Sequence, residues 1–294
     1  MVSVEVAESL SDFGGAEIIY ADSAAVYRYL DIGTAKPSHD LRKKIGHHMI
    51  DVALPDQKFN AKIYSEMATE IVRDIIEMGK IPIVTGGTGL YIKALVHGLF
   101  SVSPGIEETR EELDLEERER GIDALYRELF LVDPESASKI NENDHMRIKR
   151  ALEVYRKTGL PISKLRLDHG FKDKIFDPIY IGLSVKRKIL YERIEERVDD
   201  MIRDKITDEV KRIIGLGYDE KSTALSIIGY KEITEYLAGK ITLDEAVFLI
   251  KRNTRRLAKR QMTWFGKIPD VNWFDYPYDI DGIVSIIKRG IAIK

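Results

Sequence analysis

The chain has 294 residues, 44% hydrophobic and 32% charged, enough apolar material for one large domain or two modest ones with cores of their own. A net charge of -3 and a pI near 6.1 exclude a protein that coats nucleic acid indiscriminately, so any nucleic-acid contact has to be local. Without cysteine there is no disulfide, thiolate nucleophile or thiolate-bound zinc; with no bilayer-length apolar run and no signal-peptide pattern at the start, the expected location is the cytoplasm.

Apolar residues at Val2, Val4, Val6 and Leu10 leave helix and strand spacing in competition. The next element decides for a helix: Phe13, Gly14 and Gly15 form a turn, and 16–21 reads as a short buried strand ending in Asp22 and Ser23. Ile63, Met67, Ile71, Ile75 and Met78 make a helical face closed by Gly79. Ile81 to Val84 is an apolar strand, followed by the turn Gly86-Gly87-Thr88-Gly89 and the helix-like 90–95. Strands alternating with helices predict an α/β fold with a parallel sheet. Such sheets bind ligands at the carboxyl ends of their strands, where Asp22 and the 86–89 turn lie.

From Ser103 to Asp177 the composition shifts toward charge, with an acidic run over Glu107 to Glu119 and a mostly helical pattern. The expected organisation is an α/β core over 1–102 and 178–294, with a helical insertion over 103–177. Ile179 to Leu183 reads as a return strand, Leu190 to Ile214 as one long amphipathic helix, and Leu243 to Phe265 as another.

Asp22, at a strand end where loops limit solvation, can accept a substrate proton or hold a metal; it also suits a helix N-cap. The 86–89 turn lets backbone amides approach an anion in front of a helix N-terminus, or is an ordinary tight turn; it has no Gly-Lys-Ser/Thr ending. Lys251, Arg252, Arg255, Arg256, Lys259 and Arg260 form two adjacent helical rows with no acid among them in sequence. That stripe is either a seat for a phosphate backbone or a solvated face, and the missing counter-charges favour the former. Arg147, Lys149 and Arg150, then Arg156 and Lys157, make a second cluster. His47 and His48 point to opposite faces if extended, which disfavours a shared metal.

Read together, Tyr20-Ala21-Asp22-Ser23, Val26-Tyr27-Arg28, the run from Leu30 to Pro37, His47 to Asp51 and Val84 to Tyr91 resemble the signature of tRNA dimethylallyltransferases. Asn143-Asp144 with 147–153, Ile228-Gly229-Tyr230-Lys231-Glu232 and Arg256 to Trp264 extend the resemblance over roughly Met1 to Trp273. It implies a P-loop-NTPase-like parallel core with a helical insertion, transferring an isopentenyl group from dimethylallyl diphosphate to adenine 37 of tRNA. By that resemblance Asp22 is the general base and Thr88 lies beside the transferring group. The residues expected to contact tRNA, by its anticodon stem-loop, are Asp22, Ser23, Ala24, Ala25, Arg110, Met146, Arg147, Ile148, Lys149, Arg150, Arg255, Lys259, Arg260 and Gln261. Gly86, Gly87 and Lys231 are expected at the diphosphate together with Mg2+, and the protein is expected to be a monomer without membrane contact.

Members of the family normally begin with a strand and a Gly-Pro-Thr-Ala-Ser-Gly-Lys-Thr loop, which on this resemblance would precede Met1; Ser226 also stands where a larger polar residue is expected. The first strand and P-loop are therefore expected to be missing through an incomplete start, which the intact downstream motifs favour, or through variation that impairs donor binding. The competing functions are a catalytically impaired tRNA-binding homologue and an adenylate isopentenyltransferase; the charged insertion and the stripe oppose the latter.

Overall fold

The computed structural model describes residues 2–99, 106–170 and 174–292, which divide into two compact units, Met1–Val96 with Phe176–Lys294, and His97–Ile175. The boundary expected at residue 103 lies outside the described residues. The first unit opens with helix α1 (Val2–Glu8), after which a left-handed Gly14 turns the chain into strand β1 (Ala16–Tyr20). Ile18 and Ile19 point to opposite faces, and both are fully buried, so β1 is covered on both sides as an inner parallel strand must be. Helix α2 (His39–Lys44) leads to the short β2 (His47–His48), which pairs in parallel with Ile18 and Ile19. Helix α3 (Ala61–Glu77) starts where Asn60 Oδ1 accepts the N–H groups of Lys62 and Ile63, and it buries Tyr64, Ala68, Val72 and Ile75 at helical spacing. Strand β3 (Ile81–Thr85) then runs parallel to β1, from Ala16 opposite Ile81 to Tyr20 opposite Thr85, giving the order β2-β1-β3. Helix α4 (Gly89–His97) follows within four residues.

The second unit is helical: α5 (Ile106–Arg120), α6 (Ile122–Val132), α7 (Pro134–Ala137), α8 (His145–Thr158) and α9 (Ile162–His169). Leu113, Leu125, Leu129, Ile148 and Leu152 form the centre of its core. Buried Asp133 ties three helices together, because Oδ1 accepts the Ser136 N–H that opens α7 and Oδ2 accepts the Ser163 N–H that opens α9.

The strand expected at 179–183 forms as β4 (Ile181–Ser184); its partner is β5 (Asn272–Asp275), in a parallel two-stranded sheet of its own. The single helix expected over 190–214 is two, α10 (Arg187–Arg203) and α11 (Ile206–Gly215). The apolar period runs through the break, but Lys205 is left-handed at φ +62° and its N–H reaches Ile202. That corner drops Ile206 into the core and aims Glu209 at the chain's first third, a tertiary gain that outweighs the local helical preference. Helices α12 (Tyr230–Leu237), α13 (Leu243–Phe265) and α14 (Ile280–Ala292) complete the unit. Val26, Tyr27 and Leu30 pack with Val198, Ile206, Val210, Tyr230 and Ile250 in one core, so the 22–37 segment is clamped by α10 to α13.

Candidate active site

The site grows from the carboxyl ends of β1 and β3. One residue past β1, Ala21 donates its N–H to Thr85 at 2.7 Å and accepts the N–H of Thr88 at 3.0 Å. This holds the strand-to-helix turn so close that a methyl group on Gly86, whose φ is +155°, would overlap the Ala21 carbonyl. The next residue, half-buried Asp22, uses Oδ1 to accept the N–H groups of Ala24 at 2.7 Å and Ala25 at 3.3 Å. Asp22 thus caps a turn and not a helix, and its Oδ2 bonds to none of the described residues. Thr88 Oγ1 accepts the Ser23 N–H at 3.0 Å and lies 3.3 Å from Ser23 Oγ, so Asp22 and Thr88 share one site.

Arg197, on α10, lies near enough to Asp22 for the two charges to interact. Its Nη2 donates to the Gly33 carbonyl at 3.1 Å, leaving the other guanidinium donors without an acceptor among the described residues. The residue is exposed, yet partial desolvation lowers its pKa, with the Asp22 charge opposing the shift. An exposed cation with unused donors is suited to an incoming anion. The sequence reading missed Arg197, although one signal was present: it sits on the apolar stripe of α10, three residues after Ile194 and four before Met201, both buried.

The motif residues around Asp22 hold its loop. Lys36, 2% exposed, donates to the Tyr27 carbonyl at 2.6 Å, to Asp51 at 2.6 Å and to Asp31 at 3.1 Å; Arg42 reaches the other oxygen of Asp51 at 2.8 Å. Burial would raise the Asp51 pKa, but the hydrogen bonds from Lys36 and Arg42 outweigh it and hold the carboxyl below its ordinary range. His48 Nε2 bonds Glu17 at 2.6 Å while His47 Nδ1 faces the Ile45 carbonyl, so the two rings serve different partners.

Helix α13 lies on the 86–89 turn. A methyl group on Gly87 would overlap the Gln261 amide, and one on Gly89 the Trp264 indole. The expectation that the α13 stripe lacks counter-charges is corrected here: Lys251 pairs with Asp199 at 2.7 Å and Arg255 with Glu195 at 3.0 Å, both acids on α10. Arg256, Lys259 and Arg260 are exposed and have no ion pair among the described residues. Lys231, expected at the diphosphate, is exposed and lies 3.9 Å from Glu235 on its own helix; no hydrogen bond or ion pair joins it to Asp22 or Thr88. Ala25 is buried, and Ala24 partly so.

In the helical unit the cluster at 146–150 is largely spoken for. Ile148 is fully buried, so its side chain belongs to the core and offers no surface for RNA. Lys149 bonds both Asp114 and Glu117 at 2.6 Å, and fully buried Glu153 accepts from Arg110 at 2.7 Å and Arg150 at 3.1 Å. Arg156 bridges Glu116 and Glu128. The acidic run on α5 and the basic cluster on α8, separate features in sequence, neutralise each other; Met146 and Arg147 remain well exposed. Among the described residues no group of His, Asp and Glu side chains could hold a metal ion by itself.

With this geometry in view, comparison with known proteins is specific. The IPP transferase family profile matches residues 25–268. A tRNA dimethylallyltransferase 2 from Geotalea uraniireducens is 49% identical over 273 residues, 93% of this chain and 88% of that protein. The crystal structure of the full-length tRNA isopentenylpyrophosphate transferase from Bacillus halodurans superposes with a TM-score of 0.69 at 36% identity, covering 99% of this chain and 90% of that one. A eukaryotic dimethylallyltransferase captured acting on tRNA gives a TM-score of 0.76 at 27% identity, over 93% of this chain and 70% of that one.

Proposed function

The chain belongs to the IPP transferase family, and on that premise we propose that it transfers a dimethylallyl group from dimethylallyl diphosphate to N6 of adenine 37 in tRNA. The observation that carries this reading is the free Oδ2 of Asp22 beside the Ser23–Thr88 pair, with the Arg197 guanidinium close enough to feel the Asp22 charge. In the transfer, the N6 lone pair attacks C1 of the dimethylallyl group, a C–N bond forms, and the C1–O bond breaks with its electrons leaving on the diphosphate. The N6 proton passes to Asp22 Oδ2, which keeps the amine nucleophilic as the bond develops. Because Oδ1 is held by two backbone N–H groups, the carboxylate is oriented before substrate arrives. Arg197 receives the charge of the departing diphosphate, assisted by the 86–89 turn.

Mg2+ fits this site only as a companion of the diphosphate, whose oxygens and water would supply most of its ligands while Asp22 offers one carboxylate. Bound so, it would neutralise leaving-group charge. The exposed row Arg256, Lys259 and Arg260 supports RNA over a free mononucleotide as acceptor, since a mononucleotide needs no such row. An anticodon loop is single-stranded, and its target base can be swung into a pocket. No helix among the described residues is long and apolar enough to cross a membrane, in keeping with action on tRNA in the cytoplasm; we read the protein as a monomer.

The test is to incubate the protein with labelled dimethylallyl diphosphate and tRNA carrying adenines at 36 and 37. Label is expected at adenine 37 of the RNA. No incorporation at high protein concentration would refute the reading, and preferential labelling of AMP would move it to an adenylate transferase.

A further inference from the structure

Glu209 on α11 and Tyr230 at the start of α12 are buried polar groups that the transfer step does not use. The Tyr230 hydroxyl donates to Glu209 Oε1 at 2.7 Å and accepts the N–H of Gly33 at 3.0 Å. The same carboxylate accepts the N–H groups of Asp31 and Ile32 at 3.2 Å. Three successive amides of the 31–33 turn are thus held by two side chains from far along the sequence. On its opposite side the turn presents the Gly33 carbonyl to Arg197, and Gly33 carries no Cβ because the Tyr230 ring fills that place.

We propose that Glu209 and Tyr230 are positioning residues: through the 31–33 turn they fix the Gly33 carbonyl that anchors the Arg197 guanidinium, and so aim that cation at the diphosphate. The inference rests on the reading of the site given above. An arginine side chain is long and flexible, and the Gly33 carbonyl is its one hydrogen-bond anchor among the described residues, so the placement of that carbonyl decides where the cation points. The corner at Lys205 is what allows α11 to carry Glu209 to the turn. Tyr230→Phe keeps the ring against Gly33 but removes both hydroxyl bonds, leaving the Gly33 N–H and Glu209 short of a partner.

Binding of inorganic diphosphate in the presence of Mg2+, measured by titration calorimetry, tests the proposal without requiring turnover. Tyr230→Phe and Arg197→Gln are each expected to weaken binding about tenfold, and the double variant to be no weaker than Arg197→Gln by more than about twofold, because residues acting through one another are not additive. Affinity for tRNA should stay the same in Tyr230→Phe, and Glu209→Gln, which keeps an acceptor oxygen, should retain diphosphate binding that Glu209→Ala loses. An unchanged diphosphate affinity in Tyr230→Phe, a fully additive double variant, equal loss from Gln and Ala at 209, or no diphosphate binding by the unaltered protein would each overturn the proposal. Label transfer to tRNA run on the same preparation separates the two readings: transfer with additive losses removes the positioning role alone, whereas absence of transfer removes the functional reading.

Discussion

Replacing Lys36 by methionine keeps an apolar stem of similar length and deletes the ammonium that joins Tyr27, Asp31 and Asp51. Breaking a buried ion pair costs about 3–5 kcal/mol when the remaining charge is stranded. Here Asp31 is more than half exposed and can turn to water, and Asp51 keeps Arg42 at 2.8 Å, so a smaller cost of about 2–3 kcal/mol applies. For a unit of this size that corresponds to a fall in Tm of roughly 5–10 °C, measured by calorimetry near neutral pH. The difference should depend on pH in a defined sense. In the unaltered protein the Asp51 pKa lies below its unfolded value, so its stabilisation is complete above about pH 5 and is lost as the pH falls through about 4 toward the folded pKa. Without Lys36 the folded pKa rises, although Arg42 still holds it down, so that loss becomes smaller and the gap between the two proteins narrows in acid. A Tm change under about 2 °C at neutral pH, or a gap of equal size near pH 3.5 and pH 7, would refute the clasp as the source of this stability.

Asp22→Ala should abolish transfer, a fall of at least about 100-fold in kcat, while tRNA binding measured by filter retention changes little; unchanged turnover would remove Asp22 from the base role. Gly86→Ala forces a Cβ into the Ala21 carbonyl, and both a lower Tm and loss of transfer are expected, with a silent substitution counting against the tight turn. Replacing Arg256, Lys259 and Arg260 together by Gln should weaken tRNA binding and reduce the salt slope by about one for each phosphate no longer neutralised, whereas a Lys251 and Arg255 double variant should mainly lower stability through α10. The reverse pattern would mean that the exposed row is merely solvated.

The parts of the fold legible in the sequence are those set by local pattern. Strands β1 and β3 announce themselves as apolar runs ended by turn residues, and α3 and α13 by unbroken helical spacing with a cap. The proximity of Asp22 and Thr88 followed from the rule that parallel strands gather ligands at their carboxyl ends. What stayed hidden was pairing between distant segments. Nothing near 251–260 in sequence foretells that Asp199 and Glu195 supply counter-charges across helices, nor that Glu117 and Asp114 will absorb Lys149. The corner at Lys205 obeys no local rule, because it exists to let Ile206 and Glu209 reach partners elsewhere. Arg197 went unseen since one arginine in a charged helix looks like any other until its neighbours are known.

Helix α13 touches the glycine turn with Gln261 and Trp264 and shows solvent the cations of Arg256, Lys259 and Arg260 about one turn earlier. Each residue of a helix advances about 1.5 Å and rotates about 100°, so the bearing of those charges toward Thr88 is fixed by residue count alone. Adding a single alanine between Arg260 and Gln261 would leave every side chain chemically intact yet swing the cationic row a quarter-turn or more away. The bearing of the cationic row relative to the glycine turn is thus stored as phase along one rod, a quantity that insertions alter and conservative substitutions leave untouched.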